Sequence, residues 1–467
     1  ARRMISAKQL SPVELVESCI KRIEATNGAV NAIVAMDEEA ALEAARSAER
    51  AVVHGEPLGL LHGLPIGVKD LQATAGLRTT WGSLIHEDHV PEEDETTVAN
   101  LRDEGAIILA KTNTPEFGAG ANTRNRVYGA TGNPFDPSKT CGGSSGGSAV
   151  ALSLGQVPLA TGSDYGGSLR TPAAFSGIVG FRPSPGVVPG PERRAALTPF
   201  SVNGPMGRTV ADMHLLLKAQ VDVDKRDPFS SDDVMRIPDQ LGGFDLSSLS
   251  VAFSEDLGIA PVDNDIPAVF RRQTQVFRSV FATTADAHPD LTHAHDIFEI
   301  QRGIYFATAH MDRLANHRDK LDQNVIDNTE RGLQFTARDV AWAQLEQGKL
   351  YRRFLEFFED FDVLICPTTS VSPFPHANLS VQEINGEKMP TYMTWLAIVY
   401  GLTVGLPAVV SLPCGVDHNG MPFGIQVAGP NGSDALVLEV AHALEQVLAA
   451  NPQTARAVPD LAKLSAA

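Results

Sequence analysis

Hydrophobic positions along the chain change their period several times, and each change marks an element. Ser11-Pro12-Val13-Glu14 reads as a capping box with proline in the first turn. Val13, Val16, Ile20 and Ile23 then recur at helical spacing, and Asn27-Gly28 predicts the end of that helix. An Ala- and Glu-rich segment from about Asp37 to Val53, closed near Gly55, predicts a second helix. Apolar runs too short for a helix predict buried strands at about 63–70, 105–110, 157–160, 178–181, 249–253, 363–366, 408–412 and 424–428. Ala149–Leu154, Val210–Gln220, most of 264–360 and a last segment, Asp434–Ala449, read as helices. His86–Glu95, Lys111–Gly120, Pro183–Pro191 and Val371–Pro390 are rich in charge or turn formers and predict loops. Strands and helices alternate irregularly, which predicts an α/β protein with a mixed, twisted central sheet surrounded by helices, not a regular βα barrel.

Two glycine turns interrupt this pattern. The first is Gly142-Gly143-Ser144-Ser145-Gly146-Gly147-Ser148, after two back-to-back turns at Asn133–Pro137. The second is Gly162-Ser163-Asp164-Tyr165-Gly166-Gly167-Ser168-Leu169-Arg170. Glycine opens backbone angles closed to other residues and leaves N–H groups bare, and such a nest stabilises negative charge.

Composition narrows the chemistry. The 467 residues carry a formal charge of −18. That disfavours nucleic acid as a partner, because phosphate contacts need clustered Lys and Arg. No apolar run is long enough to span a membrane and no secretory leader shows, so a cytoplasmic protein is expected. Cys19, Cys141, Cys366 and Cys414 stand far apart, so neither a zinc site nor a dithiol motif has support. Cys141 abuts the first glycine turn, yet no histidine near it in sequence would make it a nucleophile.

Gly142-Gly143-Ser144-Ser145-Gly146 formally fits GxSxG, but a nucleophile elbow needs a strand just before it, and Asp136–Thr140 are turn formers. A phosphate loop would need Gly-Lys-Ser/Thr, whereas Gly147-Ser148-Ala149 has no lysine. A third reading joins Lys69, Ser144 and Ser168. A serine attacks only when something takes its proton. Lysine does so when neutral, and burial behind Ile66 and Val68 would lower its pKa. A second serine relays the proton, since one hydroxyl both donates and accepts. The plain alternatives are a surface lysine after a strand and serines that serve only their turns.

The run from Gly142 to Pro183, GGSSGGSAVALSLGQVPLATGSDYGGSLRTPAAFSGIVGFRP, resembles the amidase signature family. LHGLPIGVKD at 61–70, AKTNTPEFG at 110–118, DVLICPTT at 362–369, GLPAVVSLPCG at 405–415 and PFGIQVAGP at 422–430 extend the likeness over nearly the whole chain. The resemblance implies the amidase-signature fold as a single domain over 1–467, with a signature core at about 61–185 and a variable, mostly helical substrate-pocket region at about 264–360. It implies a Ser–cisSer–Lys triad: Ser168 as acyl nucleophile, Ser144 after a cis peptide as relay, and Lys69 as base. The backbone N–H groups of Tyr165, Gly166, Gly167 and Ser168 would form the oxyanion hole, with Asp164 and Arg170 bracing the turn. The implied reaction is amide hydrolysis, with esters and carbamates as further candidates, by a monomer or homodimer without metal or organic cofactor.

Substrate choice would lie in the weakly patterned segments at about 183–200, 264–345 and 371–404. The loop Pro189–Pro199 carries Arg193 and Arg194; downstream, Tyr305, Phe306, Trp342, Tyr392, Met393, Trp395 and Tyr400 are candidate pocket residues, with plain core packing as the alternative, and a hydrophobic or aryl amide is the expected small-molecule substrate. The alternative is a glutaminase that works in a complex, resembling the signature-bearing subunit of glutamyl-tRNA amidotransferase. That protein follows its signature with Tyr-Gly-Arg-Val-Ser, where this chain has Pro185-Gly186-Val187-Val188-Pro189.

Overall fold

The computed structural model describes residues 1–231 and 237–465. Its centre is an eleven-stranded sheet. In spatial order the strands are Ile33–Met36, Ile107–Thr112, Pro65–Lys69, Leu159–Asp164, Val202–Gly207, Val179–Arg182, Ala408–Val416, Pro422–Gly429, Val363–Pro367, Ser250–Phe253 and Thr283–Asp286. Ile107–Thr112, Pro65–Lys69 and Leu159–Asp164 run parallel. The middle of the sheet is antiparallel, and Val363–Pro367, Ser250–Phe253 and Thr283–Asp286 are parallel again. The fold is therefore α/β with a mixed sheet, as the alternation of patterns predicts.

Pro65–Lys69 and Ile107–Thr112 are buried along their whole length, which is why they read as largely unbroken apolar runs. Helices cover both faces. Asp434–Ala449 and Val210–Gln220 pack on one side with Val410, Ile425 and Phe253, while Gly146–Ser153 sits in a second apolar cluster with Leu109 and Ala160. Residues 294–404 supply most of a third cluster, rich in Phe, Trp and Tyr, packed with Ala252, Leu364, Cys366 and Val409, which alternate along their strands with residues of the first cluster.

Several boundaries differ from the sequence reading for local reasons. The first long helix, Pro12–Val30, does have its capping box, but it runs through Asn27-Gly28 and ends at left-handed Asn31. Asn27 is instead a clamp, its side chain accepting from the Ala32 and Ile33 N–H groups at 2.9 Å. Strands Val202–Gly207 and Thr283–Asp286 escaped the pattern. The first holds Gly204, Pro205 and Gly207, and the second is a polar edge strand. The segment Val371–Pro390 contains a two-residue-per-strand hairpin at Glu383–Ile384 and Glu387–Lys388.

Candidate active site

Lys69 ends the strand Pro65–Lys69, and its parallel neighbour Leu159–Asp164 pairs Ile66 with Leu159 and Gly67 with Ala160. Both strands thus finish at one edge of the sheet, and the Lys69 N–H donates to Thr161 Oγ1 at 3.0 Å. The ammonium is fully buried. It donates to Ser144 Oγ at 2.8 Å, Ser145 Oγ at 2.9 Å and Ser163 Oγ at 2.9 Å. No carboxylate oxygen lies within 4.0 Å of it among the described residues. Burial pulls the Lys69 pKa from 10.5 down to about 7, against the opposing field of Asp164. A substantial share of this amine is therefore neutral at neutral pH.

The first glycine turn enters the helix Gly146–Ser153, and the Gly143–Ser144 peptide is cis. The Ser145 N–H donates to the Ser168 carbonyl at 3.2 Å, which joins the two turns directly. Ser168 is half-buried, and its hydroxyl has no hydrogen-bond partner among the described residues. Ser144, Ser163 and Ser168 line one cavity of about 70 Å3, together with Leu71, Phe117, Tyr165, Arg302, Tyr305, Phe306 and Met393.

The second turn is braced from below. Asp164 accepts from the Gly167 N–H at 2.9 Å, the Leu169 N–H at 3.1 Å, Arg170 at 3.1 Å and Arg182 at 3.1 Å. Burial would raise this carboxyl, but the two guanidiniums outweigh it and hold it well below the usual carboxylate range. Arg170 reaches on to Gln426 Oε1 at 2.8 Å, Thr403 Oγ1 at 2.9 Å and the Val399 carbonyl at 2.9 Å. Gly167 has φ +115°, and a Cβ there would stand 2.5 Å from Val399 Cγ2, so only glycine fits. Of the four N–H groups in the turn, that of Gly167 is engaged by Asp164. Those of Tyr165, Gly166 and Ser168 have no backbone or side-chain acceptor among the described residues. Such free donors beside a hydroxyl can receive a developing oxyanion.

Other candidates separate. Cys141 is fully buried, and burial pushes its thiol up to about 12, which keeps it protonated. Tyr305, Phe306 and Met393 reach the Ser168 cavity, and Met393 also borders a larger chamber of about 860 Å3 with Tyr392 and Tyr400. Trp395 is buried against Phe374, and Trp342 lies against His293, away from the site. Arg193 and Arg194 border a third chamber of about 360 Å3 that shares Leu71, Phe117, Ser163 and Tyr305 with the Ser168 cavity. Sequence reasoning missed Ser145 and Ser163 as lysine partners, Arg182 as a second cation on Asp164, and Arg302 in the cavity wall. The signal for Ser163 was its place at a strand end beside Asp164; for Arg302 there was only a charge within an aromatic stretch.

The Amidase family profile matches residues 14–438. An acylamidase of Rhodococcus erythropolis is 33% identical over 448 residues, covering 95% of this chain and 93% of that protein. One subunit of the glutamyl-tRNA(Gln) amidotransferase of Alkaliphilus metalliredigens is 30% identical, with 94% of each chain covered. Among solved structures, a bacterial aryl acylamidase of the amidase signature family superposes with a TM-score of 0.87 at 27% identity, covering 96% of this chain and 95% of that one. The chain belongs to the amidase signature family. More particularly, it is an enzyme that hydrolyses carbon–nitrogen bonds in non-peptide amides, and a small-molecule substrate fits its relatives. Among the described residues no helix is long and apolar enough to cross a membrane.

Proposed function

We propose that this amidase works through an acyl-enzyme on Ser168, with Ser144 as proton relay and Lys69 as base, and that it acts on hydrophobic or aryl amides. One observation carries the reading: a buried, partly neutral Lys69 amine stands 2.8 Å from Ser144 Oγ, in the wall of the cavity that holds Ser168. Neutral Lys69 draws a proton from Ser144, which draws one from Ser168 as Ser168 Oγ bonds to the carbonyl carbon. The oxyanion meets the free N–H groups of Tyr165, Gly166 and Ser168. The proton returns through Ser144 to the departing nitrogen, the C–N bond breaks, and water cleaves the ester by the same path reversed. Phe117, Tyr165, Tyr305, Phe306, Met393 and Leu396 give the cavity an apolar wall suited to a ring or alkyl group. The relatives' printed activities, acylamidase and aryl acylamidase, support this choice.

Treatment with phenylmethylsulfonyl fluoride should place the label on Ser168, and Ser168→Ala should lose at least ~10^4 in kcat on an acyl anilide while keeping its melting temperature. Labelling elsewhere, or near-normal turnover by that variant, would falsify the assignment. Glutamine hydrolysis is the competing activity, raised by the amidotransferase relatives. The Pro185–Pro189 segment speaks against it, and a glutaminase assay with and without partner subunits decides between them. Aryl esters and carbamates present a similar carbonyl and belong in the same screen.

A further inference from the structure

Arg302 is the one charged side chain among the residues lining the Ser168 cavity. It is only 6% exposed. Burying a cation without an anion is costly, so buried guanidiniums are normally paired with a carboxylate. Arg170 and Arg182 follow that rule on Asp164. Arg302 does not: no carboxylate oxygen lies within 4.0 Å of it among the described residues. Arg302 also lines the larger chamber with Asp296, Glu299, Asp327 and Glu330, yet none of these pairs with it, and Glu299 is taken by Arg331 at 2.6 Å.

What Arg302 has instead is neutral. Nε donates to Asn328 Oδ1 at 3.2 Å and Nη2 to the Tyr392 hydroxyl at 2.8 Å. Its guanidinium lies 4.6 Å from the Phe306 ring centre and 5.9 Å from that of Tyr165. Nη1 has no partner among the described residues. A second group is also unpartnered: the Tyr165 hydroxyl is buried without a hydrogen bond, on a residue of the same cavity wall. A cation with one free nitrogen and an unpartnered neutral donor, both on residues lining the cavity that Ser168 lines, match an anionic acceptor with two oxygens.

We infer that Arg302, with the Tyr165 hydroxyl, binds a carboxylate on the acyl part of the substrate, a few bonds from the scissile carbonyl. The inference rests on Ser168 being the nucleophile and narrows the substrate to amides of acids bearing a second carboxylate. The acyl side follows from geometry. The departing nitrogen must lie by Ser144, whose neighbours are Lys69 and Gly118. Arg302 touches Tyr165, Phe306, Tyr392 and Asn328, and Tyr165 belongs to the turn whose free N–H groups take the carbonyl oxygen, which sets the guanidinium on the carbonyl's side. A cavity of about 70 Å3 keeps the chain between the two carbonyl groups short.

The test compares succinic acid mono-4-nitroanilide with its methyl ester, which keeps the length and removes the charge. The native enzyme should favour the acid by at least 30-fold in kcat/KM, mostly through KM. Arg302→Met should bring that ratio near one, and Tyr165→Phe should lower it about 5-fold. If Arg302→Met does not fold, Arg302→Lys carries the test, with a ratio reduced about 10-fold because lysine lacks the planar fork. A native ratio of one or less, or an unchanged ratio in the variants, overturns the inference. Calorimetric binding of both compounds to Ser168→Ala separates it from the catalytic reading. A binding preference for the acid without turnover by the native enzyme would remove the acyl-enzyme and keep the carboxylate contact. Equal binding of the two compounds would remove the contact.

Discussion

Lys69 and Lys111 stand on neighbouring parallel strands, and both are sealed from solvent. Val68 pairs with Lys111 and Lys69 with Thr112. That offset of one residue sends the two amines to opposite faces of the sheet. Lys69 meets three serine hydroxyls, and two of those serines, Ser144 and Ser163, line the cavity that Ser168 lines. Lys111 meets the Gln72 carbonyl, Thr74 Oγ1 at 2.8 Å and Thr79 Oγ1 at 3.0 Å, with Asp70 at 4.0 Å. Burial lowers both, Lys69 to about 7 and Lys111 to about 8, and Asp70 and Glu95 oppose the fall at Lys111. A depressed pKa is thus not enough to mark a base. What separates the two is that one points at hydroxyls that the proposed mechanism uses to pass a proton, and the other at groups that fasten a loop.

Swapping each lysine for methionine gives the widest separation. Lys69→Met should lose at least ~10^3 in kcat/KM, within the range assigned to a general base, and should hold or gain thermal stability because a buried cation is gone. An active Lys69→Met enzyme would erase the contrast. Next comes pH. The native kcat/KM should climb about tenfold per unit below pH 7 and level above it, since the proposed base is the neutral amine. Lys111→Met should leave that limb in place. Its own effect is on folding, a loss of about 3 kcal/mol, because Asp70 and the loop carbonyl lose a buried partner.

Both lysines are less basic in the folded chain than in the unfolded one. Between about 7 or 8 and 10.5 the unfolded chain keeps protons that the folded chain has released, so stability should rise with pH across that window. Denaturant midpoints between pH 7 and 10 check this, and Lys111→Met should flatten the slope. The smallest effect expected is for Ser163→Ala, which removes one of three acceptors from Lys69. A loss of about 1 kcal/mol of hydrogen bonding means about a fivefold change in rate. The protonated amine loses support, so the limb should move to lower pH. A shift the other way would mean that Ser163 serves the neutral form.

Much of this contrast was written in the chain, and some of it was not. Buried strands announce themselves as unbroken apolar runs, so Pro65–Lys69 and Val363–Pro367 were legible, as was the capped helix at Pro12. Val202–Gly207 was not, because Gly204 and Gly207, which let Leu169, Phe181 and Met213 approach the backbone closely, break its apolar run together with Pro205. The glycine turns drew attention to their serines, and the likeness to the amidase signature family picked out Ser144 and Ser168 among them. Lys69 and Lys111 look alike in sequence, each closing an apolar run. Only the register between their strands says which face each amine takes. Arg302 was invisible for a similar reason: its helix is amphipathic, and nothing local says that its charge is turned inward.

In the proposed mechanism all the reacting groups lie between Lys69 and Ser168, in the first part of the chain. Yet the turn that presents Ser168 is tied through Arg170 to Val399, Thr403 and Gln426. An amino-terminal fragment ending near residue 185 would carry every atom of the chemistry with its nucleophile untethered. Cut there, the enzyme should be silent in either half, and activity should return only when the two pieces reassociate.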